Sequence, residues 1–168
     1  MANQEHLTLL LKGSVIWNEW RRAHPDQIPD LVGADLTDMD LEGVDLRRAV
    51  LTKANLCRAN LSQANLHWAD LQKANLQRAN LSDAILRQAN LRDADFTQAN
   101  LQGAHLQLVD LEDTSFQDTD LRGAHFSGDH FTLFRDRTSR VPPLTSPKNT
   151  HIQVGWSGNK ETTDKEEE

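Results

Sequence analysis

Leucine or phenylalanine stands at every fifth position from Leu31 to Phe131 without a break, and few folds survive a period of five. Two residues before most of these centres sits Ala, and the residue between is usually Asn or Asp, so the unit reads Ala-Asn/Asp-Leu-x-x. An α-helix turns about 100° per residue, so a step of five advances the leucines by roughly 140° and scatters them around the whole helix. A continuous β-strand has period two, and an odd step sends each successive leucine to the opposite side. Within one unit, however, the Ala and the Leu are two apart, and a short extended piece points both the same way. The two x residues must then turn the chain and restore the inward direction. A chain that makes the same turn in every unit coils around an axis, with Ala and Leu inside and Asn/Asp and x outside. Coils stacked about 4.8 Å apart can hydrogen-bond backbone to backbone.

Runs such as ANLCRANLSQANLHWADLQKANLQRANL, residues 54–81, resemble the pentapeptide repeat proteins. The resemblance implies an all-β solenoid: a right-handed, quadrilateral β-helix with four pentapeptides, or about twenty residues, per coil. It covers Pro29 to Phe131, hence about five coils. The stretch VIWNEWRRAHPDQIPDL resembles the helical lead-in of bacterial, notably cyanobacterial, members. A resemblance of this kind speaks to fold far more than to role, because one scaffold hosts many functions.

The chain divides accordingly. Residues 1–28 are expected to form an α-helical N-terminal cap, residues 29–131 the repeat, residues 132–156 an irregular segment that is a candidate cap of the last coil, and residues 157–168 a disordered acidic tail. A stack of coils leaves an unpaired ladder at each end, and a cap removes the hazard. Gly13 ends a first apolar stretch, Ser14 is placed to N-cap a helix, and Pro25 stops it. Ile16, Trp17 and Trp20 are read as one face that covers the first coil rather than as a ligand site. At the other end Leu133, Phe134 and Val141 are the candidate cover, while Pro142, Pro143 and Pro147 break any regular element.

Composition narrows the function classes. The lone cysteine, Cys57, falls on an outward position and has no intramolecular partner, which suits a reducing compartment. The segment LTLLL is too short for a signal-peptide core or a membrane span, so the expectation is a soluble, cytoplasmic protein without membrane contact. Charge is banded. Residues 30–46 carry six acids and no Lys or Arg, residues 47–92 are net +6, and residues 93–131 are net −7. Phosphate-binding glycine loops, nucleophile elbows and metalloprotease helices are absent from the sequence, and the acids lie on a convex surface, so no enzyme and no cofactor is expected.

With twenty residues per coil, positions twenty apart stack into columns. Asp40, Asn60, Asn80, Asn100 and Asp120 form one, whose amides are expected to hydrogen-bond along the stack. Phe96 over Phe116 is an expected aromatic pair in the core. His105 stacks with His125, with His130 and Asp129 nearby in sequence. Paired imidazoles and a carboxylate suit zinc or nickel, but the repeat imposes this spacing and the histidines are read as tolerated replacements rather than metal ligands.

The candidate interaction face is the column with Arg47, Arg48, His67, Trp68, Ile85, Arg87 and Leu108. Trp68, Ile85 and Leu108 take positions that elsewhere are mostly polar, and arginines ring them. Arg48, one coil below, is expected to stack on the Trp68 indole. The leading reading is a non-enzymatic protein–protein interaction scaffold or regulatory protein with an unknown protein partner, itself a monomer or a weak end-to-end dimer. The resemblance carries a second reading: some pentapeptide proteins are acidic DNA mimics that occupy the DNA site of type II topoisomerases. This chain departs from them in its basic middle and its leucine centres. A third reading, nucleic-acid binding through the central basic belt, lacks stacking aromatics beyond Trp68 and has the wrong net charge.

Overall fold

The computed structural model describes residues 1–127. The segments expected to cover the last coil and to form the tail, residues 132–156 and 157–168, lie outside the described residues, as do Asp129, His130 and Phe131.

The backbone repeats itself by pairing with the residue twenty positions on. Parallel bridges join Asp40 to Asn60, Asn60 to Asn80 and Asn80 to Asn100, and the same step runs down the three other sides, as in Asp30–Val50, Asp35–Asn55 and Asp45–Asn65. Two short strands, β1 (His105–Gln107) and β2 (His125–Ser127), continue one side with the same register, His105 opposite His125. The result is a solenoid with four five-residue units in each coil. The leucine centres from Leu31 to Leu106 are buried, and so are Phe96, Phe116, Leu121 and Phe126; Leu111 is half-buried. The alanines two residues earlier are buried with them. The two rings Phe96 and Phe116 stack with centroids 5.2 Å apart and planes within 5°.

One unit shows why the sequence needs each of its residue types. Ala59 N donates to Leu56 O across the turn at 3.0 Å, Asn60 N to Met39 O of the preceding coil at 2.8 Å, and Leu61 N to Asn80 O of the next at 2.6 Å. Gln63 N donates upward to Ser82 O at 2.9 Å. The remaining donor, Ser62 N, is taken by the Asn60 side chain, Oδ1, at 3.2 Å. Every N–H of the unit is thus used, as a buried backbone requires. Asn and Asp are favoured at this position because their oxygen reaches the N–H two residues on. Val50 and Ile85 occupy it without such an oxygen.

The second x residue carries the turn. From Gly33 to Gly123 every such residue has positive φ, between 54° and 71°. This is the left-handed conformation that a turn of the type II kind demands at its third position. Glycine takes it freely at Gly33, Gly43, Gly103 and Gly123, but elsewhere Arg, Lys, Gln, Asp, Trp68 and Leu108 are held in it.

The expected side-chain ladder is present. Asn60 Nδ2 donates to Asp40 Oδ1 at 2.9 Å, Asn80 to Asn60 at 3.1 Å and Asn100 to Asn80 at 3.0 Å. Each amide donates toward the N-terminal end, so the column begins on an acceptor-only Asp. At its other end Asp120 accepts from Arg122 (Nε and Nη2) and from Gln102. The Arg122 hydrogen bond, more than the other contacts, holds the Asp120 carboxyl well below the usual range, at about 2. Its stabilising contribution is complete above the unfolded value, about 3.9, and is lost as the pH falls toward 2. A carboxyl NMR titration is expected to place Asp120 at about 2, and Arg122→Ala to move it upward; an unmoved midpoint would discount the pair.

At the N-terminal end lie two helices, α1 (Gln4–Leu10) and α2 (Ser14–Ala23). Asn3 caps α1, its side chain accepting from Glu5 N and His6 N. Helix α1 contains Leu7 and Leu10 of the first apolar stretch and ends before Gly13. Ser14 is not the N-cap of α2: Gly13 is, at φ 98°, and Ser14 is the first helical residue. The face turned to the first coil also differs from expectation. Trp17 is fully buried and Trp20 half-buried, but Ile16 is 41% exposed, and the fourth position of the stripe is the buried Arg21. The reason is hydrogen bonding. Trp17 Nε1 donates to Asp45 O at 2.8 Å, Asn18 bridges Gly43 O and Asp45 N, and Arg21 donates to Arg47 O at 3.0 Å. Those partners fix the rotation of α2 and leave Ile16 on its outer side.

Candidate interaction face

Arg48, Trp68, Gln88 and Leu108 are second x residues of successive coils, so the solenoid stacks them at one corner. The backbone ladder there runs Arg48 N to His67 O (2.9 Å), Trp68 N to Arg87 O (3.1 Å) and Gln88 N to Gln107 O (2.9 Å). Trp68 is 57% exposed and Leu108 51%. Both are held at positive φ, 59° and 58°. Ile85 bridges Asn65 and His105 on the adjoining side and is half-buried. Arg47, His67, Arg87 and Gln107 form the parallel row of first x residues.

The expected stack of Arg48 on Trp68 is not what the structure shows. The indole instead meets the ring of His67 edge-on, with centroids 4.5 Å apart. Among the described residues the cation–π contact is Arg21 over Trp20, at 5.9 Å. His67, one residue away on the same turn, reaches the indole without the extended side-chain ordering that Arg48 would need. Two buried polar atoms in this row, His67 Nε2 and Gln107 Oε1, have no hydrogen-bond partner among the described residues.

The basic belt is thinner than its residue count implies. Arg47 is bound to Asp45 through two hydrogen bonds, at 2.7 and 2.6 Å. Arg58 is paired with Asp38 at 2.5 Å, and Arg92 with Asp110 and Glu112. Arg78 donates to Gln98 at 2.9 Å. Arg48, Lys53, Lys73 and Arg87 have no ion pair among the described residues. The bands of opposite charge therefore meet at their borders and neutralise part of each other.

His105 and His125 do stack, with ring centroids 5.0 Å apart. Burial, then repulsion from His125 and Arg87, lowers the pKa of His105 against an opposing pull from Asp83. Among the described residues no group of three or more His, Cys, Asp or Glu side chains is placed to hold a metal ion. No helix among them is long and apolar enough to cross a membrane.

Several solved structures are similar to this chain. A pentapeptide repeat protein of the Arabidopsis thaliana thylakoid lumen is 34% identical over 64% of this chain and 69% of its own, with a TM-score of 0.46. A pentapeptide repeat protein of Nostoc Pcc 7120 is 33% identical over 67% of this chain and 93% of its own, with a TM-score of 0.48. The pentapeptide repeat protein Rfr23 of the cyanobacterium Cyanothece 51142 is 37% identical over 62% and 65%, with a TM-score of 0.39. No curated protein matches the sequence. The family model described as pentapeptide repeats matches in eight copies, over residues 30–66, 51–88 and 89–128. With the match running through the whole twenty-residue ladder, the chain belongs to the pentapeptide repeat family.

Proposed function

We propose that the protein is a rigid, non-enzymatic interaction module: a right-handed, four-sided β-helix of about five coils, closed at its N-terminal end by α1 and α2, that presents the Trp68 corner to a protein partner. The observation that carries this reading is a large, exposed indole on a backbone that is already fixed. The turn holds Trp68 at φ 59° and ties its N–H to Arg87 O. Left-handed backbone costs an L-residue about 1–2 kcal/mol, a cost that every non-glycine second x residue shares, so what sets Trp68 apart is its exposed indole. A preformed anchor loses little entropy on binding. Leu108 and half-buried Ile85 extend the apolar surface, and Arg48 and Arg87 supply charge at its rim.

The test is Trp68→Ala in a pull-down from the source cell. The fold and melting temperature are expected to be unchanged, and binding to weaken by about 2 kcal/mol or more, roughly 30-fold. Binding that survives Trp68→Ala combined with Leu108→Ser would move the interface elsewhere. DNA mimicry has the charge pattern against it, since a rod whose middle carries Arg48, Lys53, Lys73 and Arg87 without an ion pair among the described residues does not copy a run of phosphates.

A further inference from the structure

The face beside Trp68 is bounded by two corner columns built around nearly the same level of the rod, with Val50, Asp70, Asn90 and Asp110 between them. Its first corner reads Arg48, Trp68, Gln88, Leu108, so the two exposed apolar side chains stand one coil either side of Gln88. The next corner along the chain reads Lys53, Lys73, Asp93, Asp113, joined by Lys53 N to Gln72 O, Lys73 N to Arg92 O and Asp93 N to Glu112 O. All four of these side chains are exposed, and none has an ion pair or side-chain hydrogen bond among the described residues. Two bases are followed by two acids. The midpoint of that column lies a quarter of a coil from Gln88, about 1.2 Å at the usual spacing of strands.

We propose that the occupant of this face is a second copy of the chain, lying antiparallel and side by side with the first. The proposal rests on the reading of the Trp68 corner as an interface and names its partner. A two-fold axis at the level of Gln88, in the plane of the face and perpendicular to the rod, sets each corner against its own counterpart, reversed. Trp68 then meets the partner's Leu108, and Leu108 meets the partner's Trp68. Gln88 meets the partner's Gln88 across the axis. Lys73 falls between the partner's Asp93 and the partner's Asp113, and Lys53 lies toward the partner's Asp113. The same patch serves both copies, as an isologous contact requires.

The charge order selects this occupant over others. A nucleic acid or an acidic protein drawn to Lys53 and Lys73 is repelled by Asp93 and Asp113 further along the same corner. A basic partner has the opposite conflict. A parallel copy exchanges the two corners and sets Lys53 against the partner's Arg48 and Lys73 against the partner's Trp68, with base facing base and the two apolar groups unmatched. At the two corners an antiparallel copy has the reversed gradient by construction, with apolar groups in register; between them Asp70, which accepts from Thr52 and Asn90, faces the partner's Asp110, whose charge Arg92 pairs in each copy. The strip is about 20 Å long, so the contact is at the low end of specific interfaces, roughly 1,000 Å² in total, and a micromolar dissociation constant is expected.

Sedimentation equilibrium on the full chain tests this, from about 1 to 200 μM. At low salt the mass is expected to rise from 19.0 kDa toward twice that value. Added salt, Trp68→Ala and Lys73→Glu are each expected to weaken the dimer by about tenfold or more. Reversal of the whole column, Lys53→Asp and Lys73→Asp with Asp93→Lys and Asp113→Lys, restores the pairing across the axis, and is expected to recover dimerisation to within about threefold of the unmodified chain. Melting curves check that each exposed substitution leaves the fold intact. A monomer at the top concentration overturns the proposal, as does a dimer indifferent to Trp68→Ala, or a charge swap that fails to rescue. A monomeric chain whose pull-down still depends on Trp68 would remove the second copy as partner and leave the interaction module standing.

Discussion

Leu66→Asp is expected to destabilise the rod by about 3–5 kcal/mol, while Gln72→Ala, six residues on, is expected to cost about 0.5 kcal/mol or less. Leu66 is completely buried, between the side chains of Leu46 and Leu86 in neighbouring coils. The core of a coil this narrow is one leucine and one small residue per side, so no wider shell of side chains exists into which a carboxylate can turn. Nor are backbone donors free to receive it, because the N–H groups of each unit are spent on the ladder, the turn and the Asn oxygen. Gln72 points outward from the turn after Leu71 and loses only partial cover when shortened. Thermal and urea melts of the two variants check the assignment. Equal melting temperatures would mean that the leucines do not form the interior.

The contrast between these two positions is legible from the five-residue period alone, and so is the column of Asn and Asp that bonds along the stack. Other features are not, for identifiable reasons. The positive φ of every second x residue has no sequence mark where the residue is Arg58, Lys73 or Trp68, since only Gly33, Gly43, Gly103 and Gly123 advertise it. The Asn side chain has two tasks, and period reveals one. Its stacking follows from the repeat, but its capture of the N–H two residues on needs the turn to be known. The face of α2 is decided by partners distant in sequence. Asn18 and Arg21 reach carbonyls some 25 and 26 residues away, and this rotation leaves Ile16 in solvent. Helical spacing by itself cannot choose between the Ile16–Trp20 and Trp17–Arg21 stripes. At the Trp68 corner the column was readable, whereas the choice of His67 over Arg48 as neighbour of the indole is a matter of side-chain conformation.

Removal of residues 1–28 is expected to leave a rod that associates through its first coil. The segment does two jobs there. It adds Leu10 and Trp17 to the core below Leu31, Leu36 and Leu41. It also occupies backbone groups of the first coil that have no earlier coil to pair with: Asp30 N and O bond to His6 and Asn3, Asp45 N and O to Asn18 and Trp17, and Gly43 O and Arg47 O to Asn18 and Arg21. Without them the first coil is an open ladder under an apolar cross-section, which is the usual template for edge association. Asp35, Asp40 and Glu42 rim that end and are exposed, so two bare ends repel each other at low ionic strength. Association of the truncated chain is therefore expected to grow with added salt, as screening removes this repulsion. The side-by-side dimer responds in the opposite sense, because its contacts are between opposite charges. Light scattering across a salt series separates the two modes in one experiment. A truncated protein that stays soluble and unchanged in size from low to high salt would show that α1 and α2 do not close the rod.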